Sequence, residues 1–269
     1  MLMDPEIVGT DAEEAWNRWR AHRNETLASE HGWLTLTAFT WIPSVAGPVE
    51  GFPGIWRAVD GEKVYATFTS VDDVTRGGVP VDGEVVFQLD DGDSETSLMS
   101  GTKAAEVAKR GGRYAVRVRD SLAPTRQNFT GVPVYSYDPA AVVTGTFEPF
   151  DEPRDISITT ANPAVPGSAR IVGEVEFVYA GNSARLLVQG DSSTLTAVFY
   201  DGTNGAETAD WRYVSFDAPE AGAGPVKIDF NRASNFPAAF TPFGTCPMPP
   251  VGNAIHTPIR AGERRPTAG

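Results

Sequence analysis

Two groups of residues have the types and spacing on which chemistry could rest. The first is a basic pair, Arg119 and Arg126, in the segment Arg119-Asp120-Ser121-Leu122-Ala123-Pro124-Thr125-Arg126. Guanidinium forks hold carboxylate or phosphate through paired hydrogen bonds. In an acidic chain the same forks can instead pair with internal acids such as Asp120 or Asp229. The second group is Asp229 and Asn231 beside Arg232, joined further on by Asn253. A polar cluster at a strand end suits a small polar ligand. The expectation is a soluble protein that binds a small polar or anionic ligand, with Arg119 and Arg126 as anion contacts and Asp229, Asn231 and Asn253 as polar contacts. A small-molecule hydrolase using the same pocket is the alternative, and a structural or interaction protein without a site is the third possibility.

Cys246 is the chain's one cysteine. As a nucleophile it needs a nearby base and a depressed pKa, and His256 follows it closely enough in sequence to be considered. A lone cysteine in an apolar, proline-rich context equally suits inert packing. His31 follows the first helix, where a histidine near the negative dipole end is an ordinary structural feature. The three histidines, His22, His31 and His256, are far apart in sequence, so no triad can be read from it.

The familiar catalytic motifs are missing: no Gly-rich phosphate loop, Gly-x-Ser-x-Gly elbow, His-Glu-x-x-His or dinucleotide fingerprint. No cofactor is expected. A single cysteine rules out an internal disulfide and a multi-cysteine metal site, and no metal is expected. The run Asp90-Asp91-Gly92-Asp93-Ser94-Glu95 lacks the spacing and distal glutamate of a calcium loop and reads as a turn.

The chain has 22 Lys and Arg against 35 Asp and Glu, a formal charge of −13. That balance disfavours nonspecific nucleic-acid binding and anionic membrane surfaces. No apolar run is long enough to span a bilayer. Residues Met1 to Glu14 carry early acids and no hydrophobic core, so no secretory signal is expected and the cytoplasm is the expected location. The glycosylation-like triplets at Asn24 and Asn128 are then coincidental.

The elements that must position these residues are mostly strands. Residues 11–30 read as a helix, with Asp11 as cap and Glu13 and Glu14 in the first turn. Trp16, Trp19, Arg23 and Leu27 share one face, where Arg23 can lay its stem and find an acid. Gly32 reads as the helix stop, and Trp33 to Trp41 as a strand or a short second helix. Alternation follows at Val64, Ala66 and Phe68, at Val85, Phe87 and Leu89, and at Tyr114, Val116 and Val118 between Arg117 and Arg119, as in half-buried antiparallel strands. Gly77-Gly78, Asp91-Gly92 and Gly111-Gly112 supply turns.

Strands resume after Pro139. Val143 and Phe147 lead to a loop over Pro149 to Pro153, followed by a short strand at Ile156 and Ile158. Ile171, Gly173, Val175 and Phe177 give the longest alternation. Leu186 and Val188 flank the Gly190-Asp191-Ser192 turn with Leu195, Ala197 and Phe199. Asp201-Gly202 and Asn204-Gly205 mark a further hairpin, and Tyr213 to Phe216 and Val226 to Phe230 complete the series. The fold class is therefore mainly β, an antiparallel sandwich or barrel with one N-terminal helix and a long irregular C-terminal arm. The expected organisation is a helix clamp over residues 1–31, a β-rich half over 32–137 and a second β-rich half with the arm over 138–269, possibly continuous as one domain.

The arm, Asp229 to Arg265, is proline-rich, and between Asn231 and Ile259 its one formal charge is Arg232. So uncharged a segment is better packed on the body than free. Its backbone must then find hydrogen-bond partners without a ladder. Asn231, Asn235, Thr241, Thr245 and Asn253 have suitable side chains.

Asp229-Phe230-Asn231-Arg232-Ala233, Ala239-Phe240-Thr241-Pro242, Thr245-Cys246-Pro247, Pro249-Pro250, Asn253 and Ala261-Gly262-Glu263 together resemble the C-terminal signature of domain-of-unknown-function family 1684. That bacterial and archaeal family has no established activity. His31-Gly32-Trp33-Leu34-Thr35-Leu36 with Trp41 is similar to its Gly-Trp-Leu motif, and Arg119-Asp120 with Pro124, Arg126, Phe129 and Gly131 to its central segment. The chain departs from the pattern at Ala238-Ala239, Gly252-Asn253-Ala254 and Arg264. The resemblance implies that the three segments belong to one structural unit, and it supplies no catalytic residues.

Overall fold

The structure, a computed structural model, describes residues 5–266. Helix α1 runs from Pro5 to Leu27. Asp11 therefore lies inside the helix and does not cap it, and Glu13 and Glu14 are not in the first turn. Proline is well suited to a first helical turn, whose N–H groups have no intrahelical partner. The expected face is borne out: Trp16 and Leu27 are buried, and Trp19 and Arg23 are partly so. No helix among the described residues is long and apolar enough to cross a membrane.

The chain divides into two compact units. The N-terminal β unit comprises residues 26–129 and 241–244. The C-terminal β unit comprises the described residues through 25, 130–240 and those from 245 onward.

In the N-terminal β unit the chain passes through β1 (Leu36–Trp41), β2 (Gly47–Val49), β3 (Phe52–Val59), β4 (Lys63–Phe68) and β5 (Val74–Arg76). It continues through β6 (Val79–Pro80), β7 (Gly83–Phe87), β8 (Ser94–Ser100), β9 (Lys103–Arg110) and β10 (Arg113–Asp120), then a short helix α2 (Pro124–Gln127). One sheet has the order β1-β10-β9-β8-β5-β6, the other β2-β3-β4-β7. Their facing side chains form one core, with Trp56, Val64, Ala66, Phe68 and Phe87 meeting Leu98, Val107, Tyr114, Val116 and Val118. Each such large side chain contributes about 1.5–3 kcal/mol by leaving water. The segment Trp33–Leu36 contains both expected forms, a 3-10 turn over Trp33–Thr35 leading into β1.

Two expectations change here. Gly32 is not a left-handed helix stop, because its φ is −72°. It is needed because an added Cβ would stand 2.5 Å from Ser29 Oγ and 2.8 Å from the Leu27 carbonyl oxygen. Strand β10, expected to be half-buried, is covered on both faces, and so is its neighbour β9. Their second face, Ala104, Glu106, Ala108, Ala115, Arg117 and Arg119, is buried as well. Arginine tolerates such a face because Glu106 stands directly opposite Arg117 in register.

The C-terminal β unit contains β11 (Val142–Ile158), β12 (Gly167–Tyr179), β13 (Asn182–Gly190), β14 (Thr194–Asp201) and β15 (Arg212–Asp217). It also holds β16 (Gly224–Asp229), β17 (Ser234–Asn235) and β18 (Ala254–Ile255). The sheet order is β16-β11-β12-β13-β14-β15-β17, with β18 beside β14. Alternate residues of the long strands, including Phe147, Val175, Phe177, Leu186, Val188, Phe199, Val214 and Ile228, gather in one core. The expected loop at Pro149–Pro153 does not split β11. The register shifts between Pro149 and Arg154 instead, and a bulge of this kind accommodates residues that cannot donate to the ladder.

The arm is packed as expected. Phe230 is fully buried against Phe177, Tyr179 and Phe199, with ring centroids 5.5, 5.5 and 5.7 Å away. Ile255, Ile259 and Ala261 join the same core.

Candidate functional site

Asp229 ends β16, and its carboxylate closes a turn. Oδ1 accepts from the Asn231 backbone N–H at 3.0 Å and from Asn231 Nδ2 at 2.9 Å. Asn231 in turn is held from every side. Its Oδ1 accepts from the Asp138 N–H at 2.9 Å, Nδ2 donates to the Asp138 carbonyl at 2.8 Å, and its own carbonyl accepts from Trp16 Nε1 at 2.8 Å. One asparagine thus ties α1, the turn at Asp138 and the end of β16 together. Asp229 and Asn231, grouped from the sequence, are brought into direct contact.

Beside them stands Arg232, whose side chain is 40% exposed. Its Nε lies 3.5 Å from Asp229 Oδ2, close enough for charge attraction, but it makes no hydrogen bond and is itself shielded from water. The guanidinium sits 5.8 Å from the Trp19 ring centroid, and that of Arg20 sits 4.7 Å from Trp16. Trp16 and Tyr137 pack at 5.6 Å. Burial and the negative charge of Asp229 push the Tyr137 phenol up from its ordinary value, with Arg232 opposing. Each of these two cations, Arg20 and Arg232, lies over an aromatic ring.

Asn253 has a different task. Its side chain accepts from the Leu187 N–H at 2.9 Å and donates to the carbonyls of Leu187 and Val198 at 2.9 and 2.8 Å, pinning the arm to β13 and β14. Further along the arm, Glu263 receives Arg23 Nε at 2.9 Å and the Asn235 N–H at 2.6 Å. This is the acid that the helix-face arginine was expected to find. Burial alone would lower the Arg23 pKa, but the charge and hydrogen bond of Glu263 outweigh it and raise the value.

Arg119 and Arg126 belong to the N-terminal β unit, whereas Asp229, Asn231 and Asn253 belong to the C-terminal one. Arg119 donates to Glu106 Oε2 from Nη2 at 2.8 Å and to the Gly32 carbonyl from Nη1 at 2.9 Å. Its guanidinium stacks 4.6 Å from the Trp33 centroid. Glu106, not Asp120 or Asp229, is its acid, and the same carboxylate accepts from Arg117 at 2.8 Å. Burial would raise the Glu106 pKa; the two guanidiniums and the hydrogen bonds from Arg119 and Ser94 bring it below the ordinary range instead. Arg126 donates to the carbonyls of Ala28 and Ser121 at 2.8 and 2.9 Å.

Cys246 is buried, and His256 is exposed. The Cys246 carbonyl accepts from the Ala161 N–H at 2.9 Å. No group of three His, Cys, Asp or Glu among the described residues is arranged to hold a metal ion.

Sequence reasoning missed Glu106, Arg212 and the charge role of Asp201. Glu106 carried a signal, a lone acid inside Ala104-Ala105-Glu106-Val107-Ala108, where a charge among small apolar residues implies a buried partner. Arg212 follows Trp211 at the start of β15, and nothing in its neighbourhood marks it out.

A family described as Protein of unknown function (DUF1684) matches residues 127–264, just over half of the chain. No curated protein matches. Among solved structures, the chain is similar to the solution NMR structure of the uncharacterized protein from gene locus rrnAC0354 of Haloarcula marismortui. Sequence identity is 26%, the alignment covers 52% of this chain and 79% of that one, and the TM-score is 0.44. The matched residues include Asp138, Asp229, Asn231 and the arm through Glu263, and the chain belongs to the DUF1684 family of proteins of unknown function.

Proposed function

We propose that the chain is a binding protein for a small polar or anionic ligand, engaged at the end of β16 by Arg232 and Arg20 and flanked by Trp19 and Tyr137. The observation that carries this is Arg232. Asn231, Asn253 and Glu263 have their side-chain polar groups engaged in holding the arm. Arg232 keeps an accessible guanidinium whose Nε has no hydrogen bond. A ligand carboxylate or phosphate pairs by a charge-assisted bond with the solvent-facing part of this guanidinium, whose shielded Nε is turned to Asp229. Asp229 sets the orientation of the fork, and Asn231 fixes the turn that presents it. Arg119, Arg126 and Asn253 enter this proposal as architecture, since each is satisfied within its own unit. A hydrolase acting through Cys246 needs access to a thiol that is buried.

The test is a tryptophan-fluorescence titration with inorganic phosphate and with citrate, because Trp19 lies beside the guanidinium. Wild type should show a saturable change. Arg232→Met should keep its melting temperature and bind roughly tenfold to a hundredfold more weakly, as expected for loss of a charged hydrogen bond. An Arg232→Met protein that binds both anions as wild type does contradicts the proposal, as does a wild type that responds to neither.

A further inference from the structure

The outer face of the long sheet in the C-terminal β unit carries a cleft of about 510 Å³, lined by Thr144, Thr146, Glu176, Val178, Ser183 and Arg185, with Phe177 and Ala184 in its floor. The register explains the lining. Thr146 pairs with Glu176, which pairs with Arg185, and Val178 pairs with Ser183. Thr144, two residues before Thr146, shares its face and falls beside Val178. Two transverse rows therefore cross three strands on the solvent side, Thr144-Val178-Ser183 and Thr146-Glu176-Arg185. Hydroxyls stand at both ends of the first row about the aliphatic Val178, and the second row has one hydroxyl, that of Thr146, beside the Glu176–Arg185 pair.

We infer that this cleft is a second site, distinct from the Arg232 patch, and that it takes a neutral polyhydroxylated ligand, a short carbohydrate. Four features select that chemistry. Arg185 is already paired with Glu176 and lies 3.1 Å from Glu174, so an anion finds its one cation engaged and two carboxylates beside it. The hydroxyls of Thr144, Thr146 and Ser183 both donate and accept, as do those of a sugar. Neighbouring strands are about 4.8 Å apart and same-face residues about 6.7 Å apart, a spacing that lets one pyranose ring meet groups of both rows at once. Val178, 55% exposed, offers an aliphatic surface to the C–H face of such a ring. The volume lies within the roughly 300–1,000 Å³ typical of small-molecule sites.

The experiment is an amide NMR titration of the full chain with maltotriose and with cellotriose, using citrate and spermidine as charged controls. Concentrations should reach about 10 mM, because an open cleft is expected to bind in the roughly millimolar range. A neutral oligosaccharide should shift the amides of Thr144, Thr146, Val178, Ser183 and Arg185 saturably. Thr146→Val and Ser183→Ala should each weaken that binding roughly threefold to tenfold, the effect of one neutral hydrogen bond, and leave the rest of the spectrum unchanged. The inference is overturned if neither oligosaccharide shifts these amides, if only citrate or spermidine does, or if both variants bind as wild type does.

Discussion

Arg212 and Asp201 face each other at 2.8 Å with both side chains fully closed off from solvent. Arg212 also donates from Nη1 to the carbonyls of Ala261 and Glu263 at 2.6 and 3.1 Å, and from Nη2 to that of Ile259 at 2.9 Å. Asp201 Oδ1 accepts from the backbone N–H and hydroxyl of Thr203 at 2.8 and 2.6 Å and from the Ile259 N–H at 3.2 Å. One ion pair between β14 and β15 thus supplies the partners that an arm without a ladder needs. Arg212 Nε is left without a hydrogen bond, so the pair is held at some desolvation cost.

Removing one member of this pair strands the other in a dry site. Arg212→Met and Asp201→Asn should each destabilise the C-terminal β unit by about 3–5 kcal/mol, as for other broken buried pairs. The Asp201→Asn/Arg212→Met double variant should lose less than the sum of the two, since the stranded charge is then gone. Urea denaturation of the three variants checks both statements.

Glu106 makes the N-terminal β unit acid-sensitive. Its folded-state pKa lies below the ordinary glutamate value of 4.5, so protons bind the unfolded chain more readily. The stabilisation is full above about 4.5 and is lost as pH falls through the lowered folded value. Glu106→Gln should therefore differ most from wild type at neutral pH, and the gap should narrow below pH 4.5. Urea midpoints followed from pH 7 downward test the sign; a gap that widens in acid contradicts it.

Two glycines are set by backbone neighbours. At Gly32 a methyl group meets Ser29 Oγ and the Leu27 carbonyl. At Gly262, φ is +78° and a methyl group would stand 2.5 Å from the Ala233 carbonyl oxygen. Gly32→Ala and Gly262→Ala should each destabilise by about 1–3 kcal/mol, the usual effect of overpacking. Adding Ser29→Ala to Gly32→Ala should restore only part of the loss, because the Leu27 carbonyl remains. Thermal melts of the three proteins check this.

Strands were legible where apolar and polar residues alternate cleanly, which β3, β8 and β9 do not show. Val64, Ala66 and Phe68, or Val175 and Phe177, alternate cleanly and are buried as the period requires. The helix face of Trp16, Trp19, Arg23 and Leu27 was legible for the same reason, although its start was not, because two start signals compete, Asp4-Pro5-Glu6 and Asp11 with Glu13 and Glu14. Period fails where a strand is covered on both sides. Arg117 and Arg119 look solvent-facing by alternation and are buried by pairing with Glu106, a partner set by register across the hairpin. The prolines of β11 suggested a loop because local chemistry does not reveal a bulge. In the candidate site, Asp229 and Asn231 are near neighbours in sequence, so their contact could be read. Asp138 and Trp16 reach Asn231 from distant parts of the chain, and no local pattern announces them.

The signature arm, outside residues 241–244, is a built part of the C-terminal β unit, held by Asp201, Arg212 and Asn235. Native-state hydrogen exchange tests it most directly at two amides, Ile259 N–H on Asp201 and Glu263 N–H on the Ala233 carbonyl at 2.8 Å. Both should exchange as slowly as the core amides of β14, and Arg212→Met should accelerate both together. Exchange at the rate of an unprotected peptide in the wild-type protein would contradict the account.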